Sequence, residues 1–451
     1  MKCRTFVRHF FCLEMYTFQL SDFGGKSQIP SPVNQMTASF SKDFRQGVDI
    51  NLGVGYVNDE TIPHRRLEEC FRYVLAHTET YKNALNYGSA DGSESLRNAI
   101  QNYYLRNSIG GVQKDLLNRK TICIGANGAT SLLDSFAEIL PRGIVVTAEP
   151  NYYIYTETLQ RKGFEICAVP EDSQGIRIDE LKKRLQTIDL KQLSFFYIVT
   201  VNNPSSIILG NDRRKEIVAL ATDISRKLGR KIPVIFDKAY EDIIFDTSIE
   251  KPLSGMLFDE DGLVFELGTL SKIIAPALRI GYAIADDSEL MRVLIQKTSD
   301  IGFSAPLINE EMAARFLDCY IDEHALQVRA GYKQKSDALK MLIQKYLSAY
   351  LERFSGGQAG FYFYLTFSQI ETHPDSLFFK FLSRKTGDSA VDGNPMNPRL
   401  IYVPGCFCVS GNNSNSEGKR QLRISYGFED IPVLERAILL MRDAAEYVTQ
   451  R

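Results

Sequence analysis

The sequence has no hydrophobic run long enough to cross a membrane. A spanning helix needs about 20 consecutive apolar residues, and although 44% of the 451 residues are hydrophobic, none of them lie in such a run. The opening stretch MKCRTFVRHFFCLEMYTF has early positive charges, but Glu14 interrupts its apolar residues and no small-residue cleavage site follows. It is a poor signal peptide, so we expect a cytoplasmic protein without a membrane partner.

An excess of charge of one sign is also missing. Lysine and arginine together number 53, and aspartate and glutamate together number 55. A chain balanced in this way produces no long-range field that would draw it to nucleic acid or to an anionic membrane. We expect neither as a partner, and the sequence instead favours a small-molecule ligand.

Paired cysteines and clustered histidines are absent from the sequence as well. The eight cysteines stand at positions 3, 12, 70, 123, 167, 319, 406 and 408, without the spacing of a zinc site or the density of a secreted disulfide framework. Cys406 and Cys408 could form a metal-binding pair, but packing in the core is the interpretation that we favour. The pattern predicts no metal site and indicates reduced thiols, as is typical of cytoplasmic proteins.

From residue 121 onward, short β-branched runs alternate with amphipathic helical runs. Predicted strands cover residues 121–125, 143–149, 193–201, 233–237, 263–270 and 279–285, and predicted helices cover 130–140, 151–163 and 211–229. This alternation is typical of βα units around a mostly parallel sheet. The run 193–201 is apolar on both faces, as expected for a strand covered by helices on two sides. We therefore predict an α/β fold.

The pattern changes after Ser304, to long helices over residues 308–350 and then to alternating strands at 361–367 and 421–427. A chain of this length can hold one large domain and a smaller partner. We predict a poorly ordered tail (1–35), an N-terminal part of a small domain (36–64), a large domain (65–325) and the rest of a small α+β domain (326–451). The polar insertions 386–398 and 410–419 are predicted to be exposed loops.

The stretch GANGAT follows the first of the predicted strands of the large domain. Gly128 permits a tight turn, and the free backbone amides of Ala129 and Thr130 begin a helix. A helix N-terminus of this kind binds anions, and open α/β sheets bind ligands at this edge. An ordinary strand-to-helix turn is the alternative interpretation.

Two other buried strands also end on polar residues. Asp237 ends the strand 233–237 and is followed by Tyr240 in the turn DKAY, while Asn203 follows the strand 193–201. A carboxylate that ends an apolar run is costly unless it is paired, so Asp237 is either a ligand-binding group, a buried ion-pair member or a helix cap. Asn203, taken alone, is typical of a turn.

A lysine lies in the almost wholly apolar stretch SKIIAPALRIGY, which runs from Ser271 to Tyr282. Lys272 has a hydroxyl beside it and Arg279 seven residues on. Because desolvating an ammonium group costs several kcal/mol or lowers its pKa, Lys272 either reaches the surface with its charged end or takes part in chemistry.

The order of these motifs along the chain resembles that of the class I/II aminotransferases, the fold-type I enzymes that use pyridoxal phosphate. The resemblance covers nearly the whole chain from Asn51 and rests on LGVG, NYGSADGSESLR, GANGAT, EPNYY, NNP, DKAY, GTLSKIIAPALRIGY, GGQAGFYFYL, VPG and LRISYG. The Ser-Lys motif with its APALRIGY continuation is the most specific of them. It is most similar to the group that includes 2-aminoadipate and aromatic or branched-chain transaminases.

The resemblance implies a role for each of four residues at the cofactor ring. Lys272 is the catalytic lysine that joins the aldehyde of pyridoxal 5'-phosphate as a Schiff base and later moves the proton of the substrate α-carbon. Asp237 keeps the ring nitrogen protonated, so that the ring remains an electron sink. Tyr240 and Asn203 donate hydrogen bonds to the ring hydroxyl oxygen, and Asn203 also borders the substrate.

The phosphate of the cofactor is implied to bind to a set of groups that includes an arginine, a hydroxyl and backbone amides. These groups belong to Gly128, Ala129, Thr130, Ser271 and Arg279.

Four further residues match family positions. Tyr152 is implied to stack on the ring, with Tyr153 as the alternative one residue on. Arg423 is implied to bind the substrate α-carboxylate with two hydrogen bonds, and Gly55 to allow close backbone approach. Tyr87 is implied to reach the phosphate of the neighbouring subunit, which implies a homodimer with shared active sites.

The function that follows is that of an aminotransferase, which exchanges an amino group between an amino acid and a 2-oxo acid by a ping-pong mechanism. A lyase or synthase on the same scaffold, catalysing elimination, is one alternative. A ligand-sensing module is another, since some transcription factors carry this fold behind a DNA-binding domain, although the N-terminal segment shows no helix-turn-helix pattern.

Overall fold

The computed structural model describes residues 18–81, 83–394, 396–410 and 417–451, and within these residues the strands form sheets of eight, four and two strands. The strands are β1 (Ile50–Asn51), β2 (Lys120–Ile124), β3 (Ile144–Glu149), β4 (Glu165–Asp172), β5 (Gly175–Ile176), β6 (Leu193–Val199), β7 (Val234–Asp237), β8 (Val264–Thr269), β9 (Gly281–Asp286), β10 (Leu351–Gly356), β11 (Tyr362–Phe367), β12 (Leu400–Ile401), β13 (Val403–Pro404) and β14 (Gln421–Ser425).

The helices precede, separate and follow these strands. They are α1 (Asp22–Lys26), α2 (Pro32–Ser41), α3 (His64–Ala76), α4 (Glu94–Arg106), α5 (Lys114–Leu117), α6 (Gly128–Ile139), α7 (Tyr153–Arg161), α8 (Ile178–Thr187), α9 (Asn211–Leu228), α10 (Glu289–Gly302), α11 (Leu307–Cys319), α12 (Ile321–Tyr346), α13 (Leu377–Ser383), α14 (Ser389–Asp392) and α15 (Ile431–Thr449). None of the helices in the described part of the chain combines the length and the apolar character that a membrane crossing requires.

The eight-stranded sheet has the order β2-β9-β8-β7-β6-β3-β4-β5. Its central strands β4, β3, β6, β7 and β8 are parallel, which confirms the predicted α/β fold with a mostly parallel sheet. Successive residues of β6 point to opposite faces, so Phe195 joins a core beneath α6, α7 and α10, whereas Phe196 joins the larger core on the other face. Because both faces are covered, every residue of β6 is buried.

Strand β9 departs from the simple βα pattern, because it runs antiparallel to both of its neighbours, β2 and β8. The chain between β8 and β9 contains a short 3₁₀ turn (Pro276–Leu278) in place of a crossover helix, and parallel neighbours need a long crossover. The predicted strand 279–285 begins later than expected, at Gly281, because Arg279 adopts a left-handed conformation with φ 56°. The start of β9 therefore lies at the same sheet edge as the ends of β2, β7 and β8.

A four-stranded antiparallel sheet of order β10-β11-β14-β13 makes up the smaller layer. Strand β1 pairs in parallel with β12, as Ile50 lies opposite Leu400. The segment 36–64 thus contacts the segment 326–451 through this strand pair. The long helix α12 crosses the predicted boundary at residues 325 and 326, so it belongs to both parts.

The predicted tail, residues 1–35, is helical in two places within its described part. Ser21 caps α1, and Ser31 caps α2 with Pro32 in its first turn, a favourable arrangement for starting a helix. Val33 of α2 is buried with Tyr153 and Val403. The described part of the predicted tail is thus helical, with Val33 buried in α2 and no buried residue in α1. Residues 1–17 lie outside the described residues.

The two polar insertions differ from each other. The insertion 386–398 contains the short helix α14, and Val391 within it is buried, so it is not the wholly exposed loop that was predicted. Of the insertion 410–419, residues 411–416 lie outside the described residues.

Candidate active site

The sequence-predicted polar residues come together at one edge of the eight-stranded sheet. Parallel strands bring their carboxyl ends to the same edge, and β7 delivers Asp237 there while the chain after β8 delivers Lys272. Strand β2 runs in the same direction as β8, because both are antiparallel to β9. The segment with Gly128 therefore reaches this edge as well.

Lys272 extends from this edge toward the N-terminal segment. Its Nζ donates to the carbonyl oxygen of Gly55 at 3.1 Å, and it lies 5.7 Å from the ring centre of Tyr240 and 5.3 Å from that of Phe361. Burial, together with the positive charges of Arg423 and Arg279, lowers the pKa of Lys272 to about 8. A larger fraction of this amine is therefore neutral at pH 7 than of a free lysine, whose pKa is about 10.4.

Arg279 lies alongside the N-terminus of α6. Its Nε donates to Oδ1 of Asn127 at 2.7 Å, and its Nη2 donates to the carbonyl oxygen of Asn127 at 3.1 Å. Gly128 begins the helix at φ +67°, where a Cβ atom would lie 2.7 Å from Nη2 of Arg279. A residue other than glycine would therefore push the guanidinium away from the helix.

Backbone amides and a hydroxyl are the other groups of the predicted phosphate site, together with Arg279. Ala129 and Thr130 lie in the first turn of α6, where no preceding helical carbonyl can accept from their N–H groups. The Oγ of Ser271 lies 2.9 Å from Oγ1 of Thr269, which itself donates to the carbonyl oxygen of Ile280 at 2.8 Å. The amides, the Ser271 hydroxyl and Arg279 are all groups that suit a phosphate.

Asp237 is a buried carboxylate at the end of β7. It accepts from the hydroxyl of Tyr197 at 3.0 Å and from the N–H of Ala239 at 3.1 Å. Burial raises the pKa of Asp237, and these two hydrogen bonds oppose the rise. A cation placed next to Asp237 would stabilise its ionised form.

Arg423, on β14, is a nearly inaccessible cation, 1% exposed. Its Nη1 donates to Oδ1 of Asn203 at 2.9 Å, and its Nη2 donates to the carbonyl oxygen of Gly53 at 2.6 Å. The Nε is buried without a hydrogen-bond partner among the described residues. A buried donor without a partner is costly, so an anionic ligand group that accepts from this Nε would relieve the cost.

Tyr152 and Tyr153 occupy different surroundings. Tyr152 packs against the core that contains Tyr155 and Tyr197, and Tyr197 donates to Asp237. Burial raises the pKa of the Tyr152 hydroxyl. Tyr153 is instead packed with Val33 of α2, and its ring centre lies 5.8 Å from the guanidinium carbon of Arg423. Tyr152 therefore borders the Asp237 end of the site, and Tyr153 borders the Arg423 end.

The two remaining predicted residues, Gly55 and Tyr87, have different surroundings. Gly55 contacts Lys272 through its carbonyl, and a Cβ atom on it would lie 2.6 Å from the hydroxyl of Tyr362. Tyr87 is 79% exposed, with its ring 5.4 Å from that of Phe303. The structure thus gives Gly55 a packing reason for being glycine, and it leaves Tyr87 at the surface of the subunit.

Sequence reasoning missed several residues of this site. Tyr197, Tyr362, Gly53, Asn127 and Thr269 all contact predicted residues. Gly53 lies in the motif LGVG and could have been marked as a candidate, whereas Tyr362 lies among other aromatic residues in GGQAGFYFYL, so the motif marks the stretch but not the residue. Tyr197, in the middle of an apolar strand, has no local signal that separates it from a core residue.

Comparison with known proteins identifies the class of protein. Residues 48–428 match the family model "Aminotransferase class I and II". An uncharacterized HTH-type transcriptional regulator, YisV of Bacillus subtilis, is 26% identical over 402 residues, which cover 88% of this chain and 73% of YisV. Aromatic-amino-acid aminotransferase 1 of Thermococcus litoralis is 25% identical over 304 residues, or 66% of this chain and 69% of that protein.

Among solved structures, the multiple substrate aminotransferase of Thermococcus profundus has the same fold, with a TM-score of 0.78 at 21% identity over 96% of this chain and 98% of that chain. The chain belongs to the class I and II aminotransferase family. It is a transaminase, and its cofactor is pyridoxal 5'-phosphate.

The residues of the site fit this cofactor. The start of α6 with Arg279 and Ser271 suits its phosphate. Burial raises the pKa of Asp237, and a cation such as the protonated ring nitrogen would stabilise the ionised carboxylate. Lys272 provides an amine with a lowered pKa. Each of these features is present in the chain itself.

Proposed function

We propose that the protein exchanges an amino group between an amino acid and a 2-oxo acid in two half-reactions at one site, by a ping-pong mechanism. The observation that carries this proposal is that two cationic side chains donate to backbone carbonyls of the same short segment. Lys272 and Arg423 bind the carbonyl oxygens of Gly55 and Gly53, two residues apart on the segment that follows β1. An α-amino acid carries its α-carbon next to its carboxylate, so a clamp for the carboxylate beside a basic amine suits this substrate class.

Each residue has a defined task in this proposal. Pyridoxal phosphate, when bound, supplies an electron sink for the α-carbon. Arg423 binds the α-carboxylate and so orients the α-carbon, with Asn203 holding the guanidinium in place. Lys272 takes the α-proton on Nζ and returns it, a role that its lowered pKa favours at neutral pH. Asp237 stabilises the positive charge of the ring nitrogen, and the Tyr197 hydroxyl fixes the position of Asp237 through a hydrogen bond.

Ring stacking is assigned to Tyr152. Its packing against the core that contains Tyr197, the donor to Asp237, supports this choice over Tyr153, which packs against α2 and lies by Arg423. We also assign the phosphate to Gly128, Ala129, Thr130, Ser271 and Arg279.

The first prediction tests the function directly. Purified protein supplied with pyridoxal phosphate is expected to show a visible absorbance band that borohydride abolishes, because Lys272 joins the cofactor covalently. An amino acid added without any 2-oxo acid should then convert the cofactor to its amine form and release one equivalent of 2-oxo acid. Both products can be quantified by mass spectrometry, starting with aromatic, branched-chain and 2-aminoadipate donors.

Other outcomes of that experiment favour other functions. Many equivalents of product per site, without the amine form, would show the elimination reaction of a lyase. A band that forms but does not change with any donor would favour a ligand-sensing module. Absence of the band would contradict the assignment of Lys272.

We infer that the protein is a homodimer with shared active sites. Exposed apolar side chains support an interface that includes Tyr87, since Phe303, whose ring contacts that of Tyr87, and Leu85, two residues before it, are both more than a third exposed. The ring of Tyr87 is the most exposed of them and is positioned to reach a second subunit. We assign it to the phosphate held by Arg279 of that subunit.

A subunit-mixing experiment tests this arrangement. Tyr87→Ala and Lys272→Ala proteins, each with low activity, are expected to recover part of the wild-type turnover after they are mixed, because a hybrid dimer contains one site with both residues intact. Subunit exchange is verified by native mass spectrometry with one partner isotope-labelled. Exchange without recovery, or an active monomer, would contradict the shared site.

A cytoplasmic location is proposed on the state of the thiols. The cysteines of the described residues, Cys70, Cys123, Cys167, Cys319, Cys406 and Cys408, are all free. Free thiols are typical of a reducing compartment.

A further inference from the structure

Tyr362 contacts three parts of the site that lie far apart in the sequence. It begins β11 and is 2% exposed. Its hydroxyl lies 3.0 Å from that of Tyr240, and its ring centre lies 4.2 Å from the guanidinium carbon of Arg423. Its hydroxyl also occupies the space beside Gly55, the residue whose carbonyl accepts from Lys272.

The hydrogen bond between the two phenols can have only one direction at a time. Each hydroxyl carries one proton, and either Tyr240 or Tyr362 can be the donor in this pair. If Tyr240 uses its proton on the ring oxygen of the cofactor, it can only accept from Tyr362. The two bonds then form a chain from Tyr362 through Tyr240 to the ligand, in which each bond polarises and strengthens the next.

The ring of Tyr362 has a separate effect from its hydroxyl. A cation 4.2 Å from an aromatic ring centre is within the range of a cation–π interaction. The guanidinium of Arg423 is therefore supported by the Tyr362 ring in addition to Asn203 and the Gly53 carbonyl. The ring of Tyr362 fixes the position of Arg423, the residue proposed to bind the carboxylate, and the hydroxyl of Tyr362 orients that of Tyr240.

We propose that Tyr362 is a positioning residue that couples the two ends of the active site. Its hydroxyl donates to Tyr240 and directs the Tyr240 proton toward the cofactor ring oxygen, while its ring supports Arg423 for binding of the substrate carboxylate. This inference rests on the proposed function, and it assigns to one side chain two effects that can be separated by substitution.

Tyr362→Phe removes the hydroxyl and keeps the ring. Without its donor, Tyr240 binds the ring oxygen less strongly, so more negative charge stays on that oxygen and stabilises the proton on the nitrogen that links Lys272 to the cofactor. The pKa of this nitrogen, read from the pH titration of the visible band, is expected to rise by about 0.3 to 1 pH unit, the equivalent of one hydrogen bond. The KM for the amino acid should stay within about twofold, because the support under Arg423 remains.

Tyr362→Leu removes the ring as well. The KM is then expected to rise by about 2- to 30-fold relative to Tyr362→Phe, which corresponds to the loss of a cation–π contact. The matched control is Tyr364→Phe, two residues along the same strand, which keeps the ring opposite Arg423 in the strand pairing and removes a buried hydroxyl that donates to Oε1 of Gln421 at 3.0 Å. This control should change neither the titration midpoint nor the KM.

The outcomes separate this inference from the function itself. A wild-type protein without the visible band would contradict the proposed function. A normal wild-type band whose titration midpoint is the same in Tyr362→Phe would overturn the role of the hydroxyl, whatever the Leu variant does. An equal shift in Tyr364→Phe would overturn it too, because it would show a general response to losing a buried phenol from β11.

Discussion

Lys272→Ala is expected to bind pyridoxal phosphate without a covalent link and to lose at least about a thousandfold in turnover. The phosphate site at α6, Asp237 and Tyr152 do not depend on the lysine, so the cofactor should remain. General acid–base catalysis contributes roughly 10²- to 10⁴-fold, and loss of the covalent link adds to this. Cofactor content is measured after gel filtration, and turnover is measured by release of 2-oxo acid.

Two controls sharpen this experiment. Lys272→Arg keeps the positive charge but has no neutral amine at working pH, so it should be as inactive as Lys272→Ala. Small primary amines added to Lys272→Ala should restore part of the proton transfer, since they replace the missing base. If Lys272→Ala retained more than a few per cent of wild-type turnover, another lysine would have to carry the cofactor, and the whole site would need to be assigned again.

Arg423→Lys is expected to raise the KM for every amino-acid substrate by about 5- to 150-fold while cofactor content stays near normal. A lysine cannot make two parallel hydrogen bonds to a carboxylate, and charge-assisted hydrogen bonds contribute about 1 to 3 kcal/mol. The measurement is steady-state kinetics with several donors, together with the absorbance of bound cofactor. A thermal melting curve checks that the variant is folded, because the guanidinium also holds Asn203 and the Gly53 carbonyl.

Arg420→Lys is the matched control for that prediction. Arg420 lies three residues before Arg423, and its Nη1 donates to the carbonyl oxygens of Phe367 and Ser368 and pairs with Glu352, away from Lys272. It should leave the KM unchanged. Loss of cofactor from Arg423→Lys with substrate affinity intact would show that Arg423 belongs to the cofactor site and not to the carboxylate clamp.

Local patterns in the sequence were sufficient to predict much of the fold and to suggest which polar residues lie close together. Strand and helix periodicity predicted the mostly parallel sheet, because buried strands and amphipathic helices have different spacings of apolar residues. The carboxyl ends of parallel strands meet at one edge, so polar residues such as Asp237, Asn203 and Lys272 could be expected to lie close together before any contact was known. The resemblance of SKIIAPALRIGY and the motifs around it then implied the cofactor.

Other features depended on the tertiary structure. The proposed choice of Tyr152 over Tyr153, adjacent in sequence, rests on packing, since Tyr152 packs against the core that contains Tyr197 and Tyr153 packs with Val33 of α2. The antiparallel direction of β9 depends on how its short connection packs, and α2 becomes ordered because Val33 is buried against residues of distant segments.

Tyr362 shows most clearly what the sequence alone does not reveal. In the sequence it is one aromatic residue in a strand of aromatic residues, GFYFYL, and nothing local distinguishes it from its neighbours. Its importance comes from contacts over sequence separations of 122 residues to Tyr240, and the Arg423 that it supports meets Gly53 over a separation of 370. The sequence by itself determined the fold through its local periodicity, and the resemblance of its short motifs implied the cofactor. The contacts between strand-end residues were decided only when packing brought distant segments of the chain together.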